Sequence, residues 1–227
     1  MKKIIKQSLV STLPVLTGYL VLGFGFGIIM KSSGFGILLT LAMSIFIYAG
    51  SMQYAAIGLL SGGASLITVA LTTLAVNARH IFYGISMIDR YKNTGLKKPY
   101  LIFALTDETY SLVCQDNKDI IPSMRNKYFT LVSVLNHFYW VLGTALGAVT
   151  GTLIKFNSEG IDFALTALFI TIFLEQWLTS KNHSAALIGL ICSVASLLIF
   201  GAEKFLIPAM LIIALLLCLY KEDAKNE

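Results

Sequence analysis

Charged side chains are scarce in this chain. They make up 13% of its 227 residues, against about 25% in an ordinary soluble domain. Beside a hydrophobic content of 56%, that deficit excludes a water-soluble globule and points to an integral membrane protein. Proline is rare too, at four residues, and with 18 glycines it fits helices with local breaks, since backbone groups in lipid must be satisfied internally. The three cysteines, Cys114, Cys192 and Cys218, are too few and too widely spaced for a disulfide framework or a metal site. They read as small buried hydrophobes. Also missing are the short alternating segments of a transmembrane barrel. HExxH, GxSxG, Walker and CxxC signatures are absent as well, so neither a cofactor nor a metal is expected. The net charge of +5 is not a nucleic-acid footprint. Its cations sit in short connecting segments, where they orient a membrane protein.

What is present is a series of continuous apolar runs. Seven are long: roughly 13–30, 35–60, 64–88, 128–154, 160–180, 184–201 and 204–220. An eighth, 100–114, is short and holds Asp107-Glu108. A bilayer core takes about 20 helical residues. The expected fold is all-α, a polytopic transmembrane helix bundle forming one membrane domain over 1–227. Lys2, Lys3 and Lys6 precede a run that continues to Met30 without a cleavage site, which reads as a retained span rather than a signal peptide. The second and third runs carry polar interruptions, Gly50-Ser51-Met52-Gln53 and Asn77-Ala78-Arg79-His80. They are tilted helices or discontinuous ones.

Basic residues cluster at Lys2–Lys6, at Arg90, Lys92, Lys97 and Lys98, and at Lys118, Arg125 and Lys127. Such clusters belong in the cytoplasm. Three crossings before residue 89 would put the second cluster on the wrong side, so either one early run does not fully cross or the rule is broken. Run 100–114 joins two basic loops and is expected to enter and return on one face. Gly23–Lys31 (GFGFGIIMK) and Gly147–Lys155 (GAVTGTLIK) echo each other faintly, as internal repeats of transporters do.

Of the 17 Lys and Arg residues, only Arg79 lies well inside an apolar run. In a bilayer core that costs at least about 2.5–3.5 kcal/mol, and the default reading is a substrate or ion pathway. The guanidinium fork suits a substrate carboxylate. It suits equally an ion pair with Asp107 or Glu108. A helix broken near Gly50 would present N–H groups to a carboxylate, with Ser51 and Gln53 beside it; an unbroken helix would leave Gln53 bonding a neighbour. Asn77 and His80 share a helix face, and His80 is either a proton relay or a neutral hydrogen-bonded ring. Asp107 and Glu108 diverge by about 100° on a helix. An acid in an apolar site can bind and release a proton; alternatively both cap a helix at the membrane edge. Tyr83, Asn136 and Trp140 are pocket-wall candidates, the last two one turn apart. Gly23 and Gly27 have the spacing of close helix packing. Glu175-Gln176-Trp177, near Lys181, reads as interfacial.

These residues resemble the AzlC family, named for azaleucine resistance. The resemblance rests on the glycine-rich first span and on Ala49-Gly50-Ser51-Met52-Gln53-Tyr54. It continues in Asn77-Ala78-Arg79-His80-Ile81-Phe82-Tyr83, Leu105-Thr106-Asp107-Glu108-Thr109, the Asn136–Gly151 region and Asp162–Phe169. It covers nearly the whole chain. The chain departs from the pattern at Ser51-Met52, where small residues are more usual, and at Thr166, where proline is expected. The resemblance implies a multi-pass subunit of the bacterial plasma membrane. It would export leucine, isoleucine, valine and often methionine, driven by the proton gradient, with a small AzlD-type membrane partner. Joined to the reading above, it makes Gly50, Ser51, Gln53, Asn77 and Arg79 substrate-binding candidates. His80, Asp107 and Glu108 become proton-coupling candidates. Two rivals stay open: an intramembrane enzyme using His80 with Asp107 or Glu108, and a non-transporting assembly subunit.

Overall fold

A computed structural model of the chain describes residues 2–114 and 122–153. Beyond these it describes 170, 173–174, 177–178, 182–201, 205, 208–209, 211–213 and 215–217. The chain divides into two compact units, Met1–Ser158 and Glu159–Glu227. All regular structure among the described residues is helical.

In the first unit the helices are α1 (Lys2–Ser32), α2 (Ile37–Phe46), α3 (Gly50–Ser61), α4 (Leu66–Met87), α5 (Lys98–Phe103), α6 (Asp107–Val113) and α7 (Arg125–Leu153). Short 3-10 turns precede α5 and α7. Helices α1, α4 and α7 have 31, 22 and 29 residues. At 1.5 Å per residue they span about 46, 33 and 43 Å, enough for a hydrocarbon core about 30 Å thick. All three are also apolar enough to cross a membrane. The third apolar run is thus a continuous helix, with Arg79 and His80 inside it. Its start is fixed by Ser65, whose Oγ accepts the Thr68 N–H at 3.2 Å, satisfying one of the orphan donors of a helix end.

Cross-helix contacts fix the directions. Thr12 meets Tyr139 (3.2 Å between hydroxyls), Gly23 lies against Trp140–Thr144, Gly27 against Thr144–Ala148, and Gly151 against Ile28 and Lys31. Residue numbers rise together, so α1 and α7 run parallel. Helix α2 leaves the end of α1 and descends beside α7, because its Ser44 reaches Thr144 and its carbonyl reaches His137. The chain turns at Ile47–Ala49. Helix α3 then climbs back: Gly50 abuts Trp140, and the Tyr54 hydroxyl donates to the Leu22 carbonyl near Gly25 and Phe26. The 35–60 run therefore enters and returns on the face where α1 ends. Helix α4 crosses the other way, bringing Arg79 level with Ser51 and Met87 to the start of α1 and α7. Helices α5 and α6 form a second hairpin from that opposite face. It enters near Asn93 and Asn126, peaks at Thr106 beside Tyr19, and withdraws past Asn136 to Val113.

This topology resolves the charge puzzle. Only α1 and α4 cross before residue 89, so the first two basic clusters share one face. Arg125 and Lys127, at the start of α7, share it too. The positive-inside rule assigns that face to the cytoplasm. Two hairpins from opposite faces, flanked by α1, α4 and α7, have the inverted arrangement common in carriers. That relation would pair α1 with α4 and α4 with α7. The sequence echo instead links α1 to α7, which run parallel. Gly23, Gly27, Gly147 and Gly151 pack at one close crossing of α1 and α7, so the shared glycines reflect that crossing rather than the inverted relation.

At that crossing an added Cβ on Gly147 would overlap the backbone of Phe24, and one on Gly27 would overlap Thr144 and Ala148. Backbone cannot yield as a flexible side chain can. Gly147→Val is expected to remove the monodisperse peak from fluorescence-detected size-exclusion chromatography, whereas Gly58→Ala, in open space, should keep it.

The second unit contains α8 (Ser184–Phe200). Trp177 stacks on His183 at 4.1 Å. Both line a cavity of about 540 Å³ with Ser193 and Ile213. Glu175, Gln176, Lys181, Cys218 and the 162–169 motif with Thr166 lie outside the described residues, as do Lys118 and Lys155. Cys114 and Cys192 are free thiols.

Candidate functional site

The break between α2 and α3 is the first component. Tyr48 has φ +45°, a left-handed conformation costly for a bulky residue. Its buried ring pins it there, 4.3 Å from His137 and edge-on to Tyr19. Ala49 supplies no side-chain cap to α3, so the positive helix end begins at Gly50-Ser51. A Cβ on Gly50 would come within 3.1 Å of the Trp140 indole, which explains a glycine at this close approach.

Beneath the break a buried polar chain holds the hairpin together. Trp140 Nε1 donates to Gln53 Oε1 at 3.0 Å, Gln53 Nε2 donates to Ser44 Oγ at 3.3 Å, and Ser44 Oγ donates to Thr144 Oγ1 at 2.9 Å. Gln53 is 0% exposed. Its carboxamide, a substrate-binding candidate, bonds α2 and α7, the neighbour contact that the sequence also allowed. Trp140 and Asn136, expected as pocket walls, are also buried; Asn136 donates to Thr109 Oγ1 at 3.0 Å. Removing one member of such a network strands its partners, at about 1–3 kcal/mol per buried group. Gln53→Ala is therefore expected to lower Tm by several degrees in a nanodisc unfolding scan.

The second component lies where α3, α4 and the α5–α6 hairpin meet. Arg79 Nη2 pairs with Asp107 Oδ2 at 2.8 Å and donates to Ser51 Oγ at 3.4 Å. Thus the α3 start, the intramembrane cation and one acid of the Asp-Glu pair come together. The two side chains are 36% and 33% exposed, so the pair is neither sealed nor fully open. Tyr83, one turn after Arg79, adjoins Asp107 and stacks on Tyr110 at 4.4 Å. Asn77 and His80 are half-buried on α4. His80 Nδ1 donates to the Asn77 carbonyl at 3.3 Å, a bond within its own helix rather than to a carboxylate.

Glu108 points elsewhere, as adjacent helical positions must. Its Oε2 accepts from the Tyr19 hydroxyl at 2.6 Å. Tyr19 also lies 2.7 Å from Thr106 Oγ1, and Thr106 caps α6 by accepting the Thr109 N–H at 3.3 Å. Tyr19 and Thr106 were not evident as site residues. A tyrosine in a glycine-rich span carries no signal of its own; only the depth of the second hairpin places an acid against it. Among the described residues no group of three or more His, Cys, Asp or Glu could hold a metal ion.

The comparisons with known proteins point the same way. The family model described as AzlC protein matches residues 14–154, the stretch that carries both hairpins and all three long helices. The branched-chain amino acid transport protein AzlC of Bacillus subtilis is 48% identical over 95% of this chain and 85% of its own length. An uncharacterized membrane protein of Haemophilus influenzae is 45% identical over 91% of this chain and 84% of its own. The inner membrane protein YgaZ of Escherichia coli is 28% identical over 88% and 82%. No solved structure matches the chain. A multi-pass helical membrane protein with this match across its hairpin core, the chain belongs to the AzlC family.

Proposed function

We propose that this chain is the carrier subunit of a secondary transporter for branched-chain amino acids. In our reading it moves leucine, isoleucine and valine outward, uses the proton gradient, and works with a small AzlD-type membrane partner. One observation carries the reading: Arg79, the start of α3 and Asp107 converge where two hairpins from opposite faces meet. Broken helices meeting at mid-depth are the usual seat of solutes in carriers. The name of the Bacillus subtilis relative supplies the substrate class. A permanent cation in such a place favours an anionic group, and the relative's name supplies the apolar remainder.

Leucine counterflow in proteoliposomes tests this, with the chain alone and with the small partner. Radiolabelled leucine should exchange against internal leucine, valine and isoleucine and be recovered unchanged. Exchange absent in both preparations overturns the carrier reading. Exchange that needs the partner but persists in Arg79→Ala would move the pathway to the partner.

A further inference from the structure

The Arg79–Asp107 contact is an incomplete ion pair. A guanidinium and a carboxylate can join through two parallel bonds. Here one nitrogen meets one oxygen, at 2.8 Å. Arg79 Nε and Asp107 Oδ1 are buried, and among the described residues neither has a hydrogen-bond partner. Each ion thus keeps an unmet demand of its own sign, side by side, in a site about one-third exposed. Buried polar atoms are rarely left so, and those that are call for an explanation.

From these orphaned atoms we infer that the pair is a closed clasp for a zwitterion: an α-amino acid opens it, its carboxylate taking Arg79 and Ser51 while its ammonium takes Asp107. The inference rests on the carrier reading and specifies how that site reads its substrate. The carboxylate supplies two acceptor oxygens, enough for Nε and an Nη of Arg79, with the Ser51 hydroxyl 3.4 Å from Nη2 beside them. The ammonium supplies donors for Oδ1 and Oδ2 of Asp107. The two charges of an α-amino acid are separated by one carbon, which fits two protein charges already in contact. Exchange of one pair for two leaves the site's net charge unchanged. Asp107 then serves as a ligand, and Glu108, held by Tyr19, is left for the proton. A ligand with only one of the two charges would satisfy one ion and strand the other, so the clasp rejects it.

Competition against radiolabelled L-leucine on the full-length chain together with its small partner in nanodiscs tests this. The competitors are L-leucine, 4-methylpentanoate (no amine) and 3-methylbutylamine (no carboxylate). In wild type both analogues should compete at least about 100-fold more weakly than leucine. In Asp107→Asn, leucine should fall to the level of 4-methylpentanoate, while 4-methylpentanoate itself improves, because Arg79 is released from its partner. A purely structural role for Asp107 would weaken both ligands together, and that result overturns the inference. So does wild-type binding of 4-methylpentanoate as tight as that of leucine. Failure of leucine itself to bind wild type would instead sink the carrier reading, and the clasp with it.

Discussion

Arg79→Ala is expected to abolish leucine counterflow, lowering it at least about 100-fold, while the protein still reaches the membrane. Two opposing effects decide this outcome. Removing the guanidinium lowers the insertion cost of α4 by about 2.5–3.5 kcal/mol, so insertion is not the weak point. It also leaves Asp107, which Arg79 contacts at 2.8 Å, without its counter-charge. The pair is about one-third exposed, so water offsets part of that loss, but any substrate carboxylate loses its main donor. Arg79→Lys keeps the charge but not the fork and should fall in between. Membrane-fraction blots and counterflow on the same preparation check both halves. Transport at wild-type rate in Arg79→Ala would remove the cation from the mechanism.

The second large effect concerns Glu108. One pH unit across the membrane supplies about 1.4 kcal/mol per proton, equivalent to about tenfold accumulation. Glu108→Gln can still accept a hydrogen bond from Tyr19 through its amide oxygen but cannot gain or lose a proton. Leucine exchange at equal pH should therefore persist, while accumulation driven by a pH gradient should collapse to the level without one. Tyr19→Phe removes the 2.6 Å bond to Glu108 and should alter the gradient response more than the exchange rate. Retained gradient-driven accumulation in Glu108→Gln would move the proton to another group.

The long helices were legible because hydropathy reports length. Runs near 13–30, 64–88 and 128–154 became α1, α4 and α7. The break at Gly50-Ser51 was legible because small and polar residues interrupt an apolar run. Arg79 and Asp107 stood out because each is costly in lipid, and the structure joins them. Direction was harder, since an apolar run of 26 residues reads the same whether it crosses or doubles back. Only the basic clusters hinted that 35–60 returns, and the contacts of Ser44 and Tyr54 show it. Polarity at Gln53 left two readings open, a ligand contact or a bonded neighbour; its partners in the structure are Trp140 and Ser44, about 90 and 10 residues away, a pairing fixed by tertiary packing and not by local pattern. The same holds for Tyr19 with Glu108.

The account stands on a water-accessible, solute-holding crevice at the Arg79 junction. The direct measurement is labelling of Ser51→Cys, in a background with Cys114, Cys192 and Cys218 replaced by alanine, using a small membrane-impermeant thiol reagent on oriented vesicles. The predicted result is labelling that L-leucine slows several-fold and that 3-methylbutylamine does not. No labelling from either face, or labelling indifferent to leucine, would contradict a solute site between Ser51, Arg79 and Asp107.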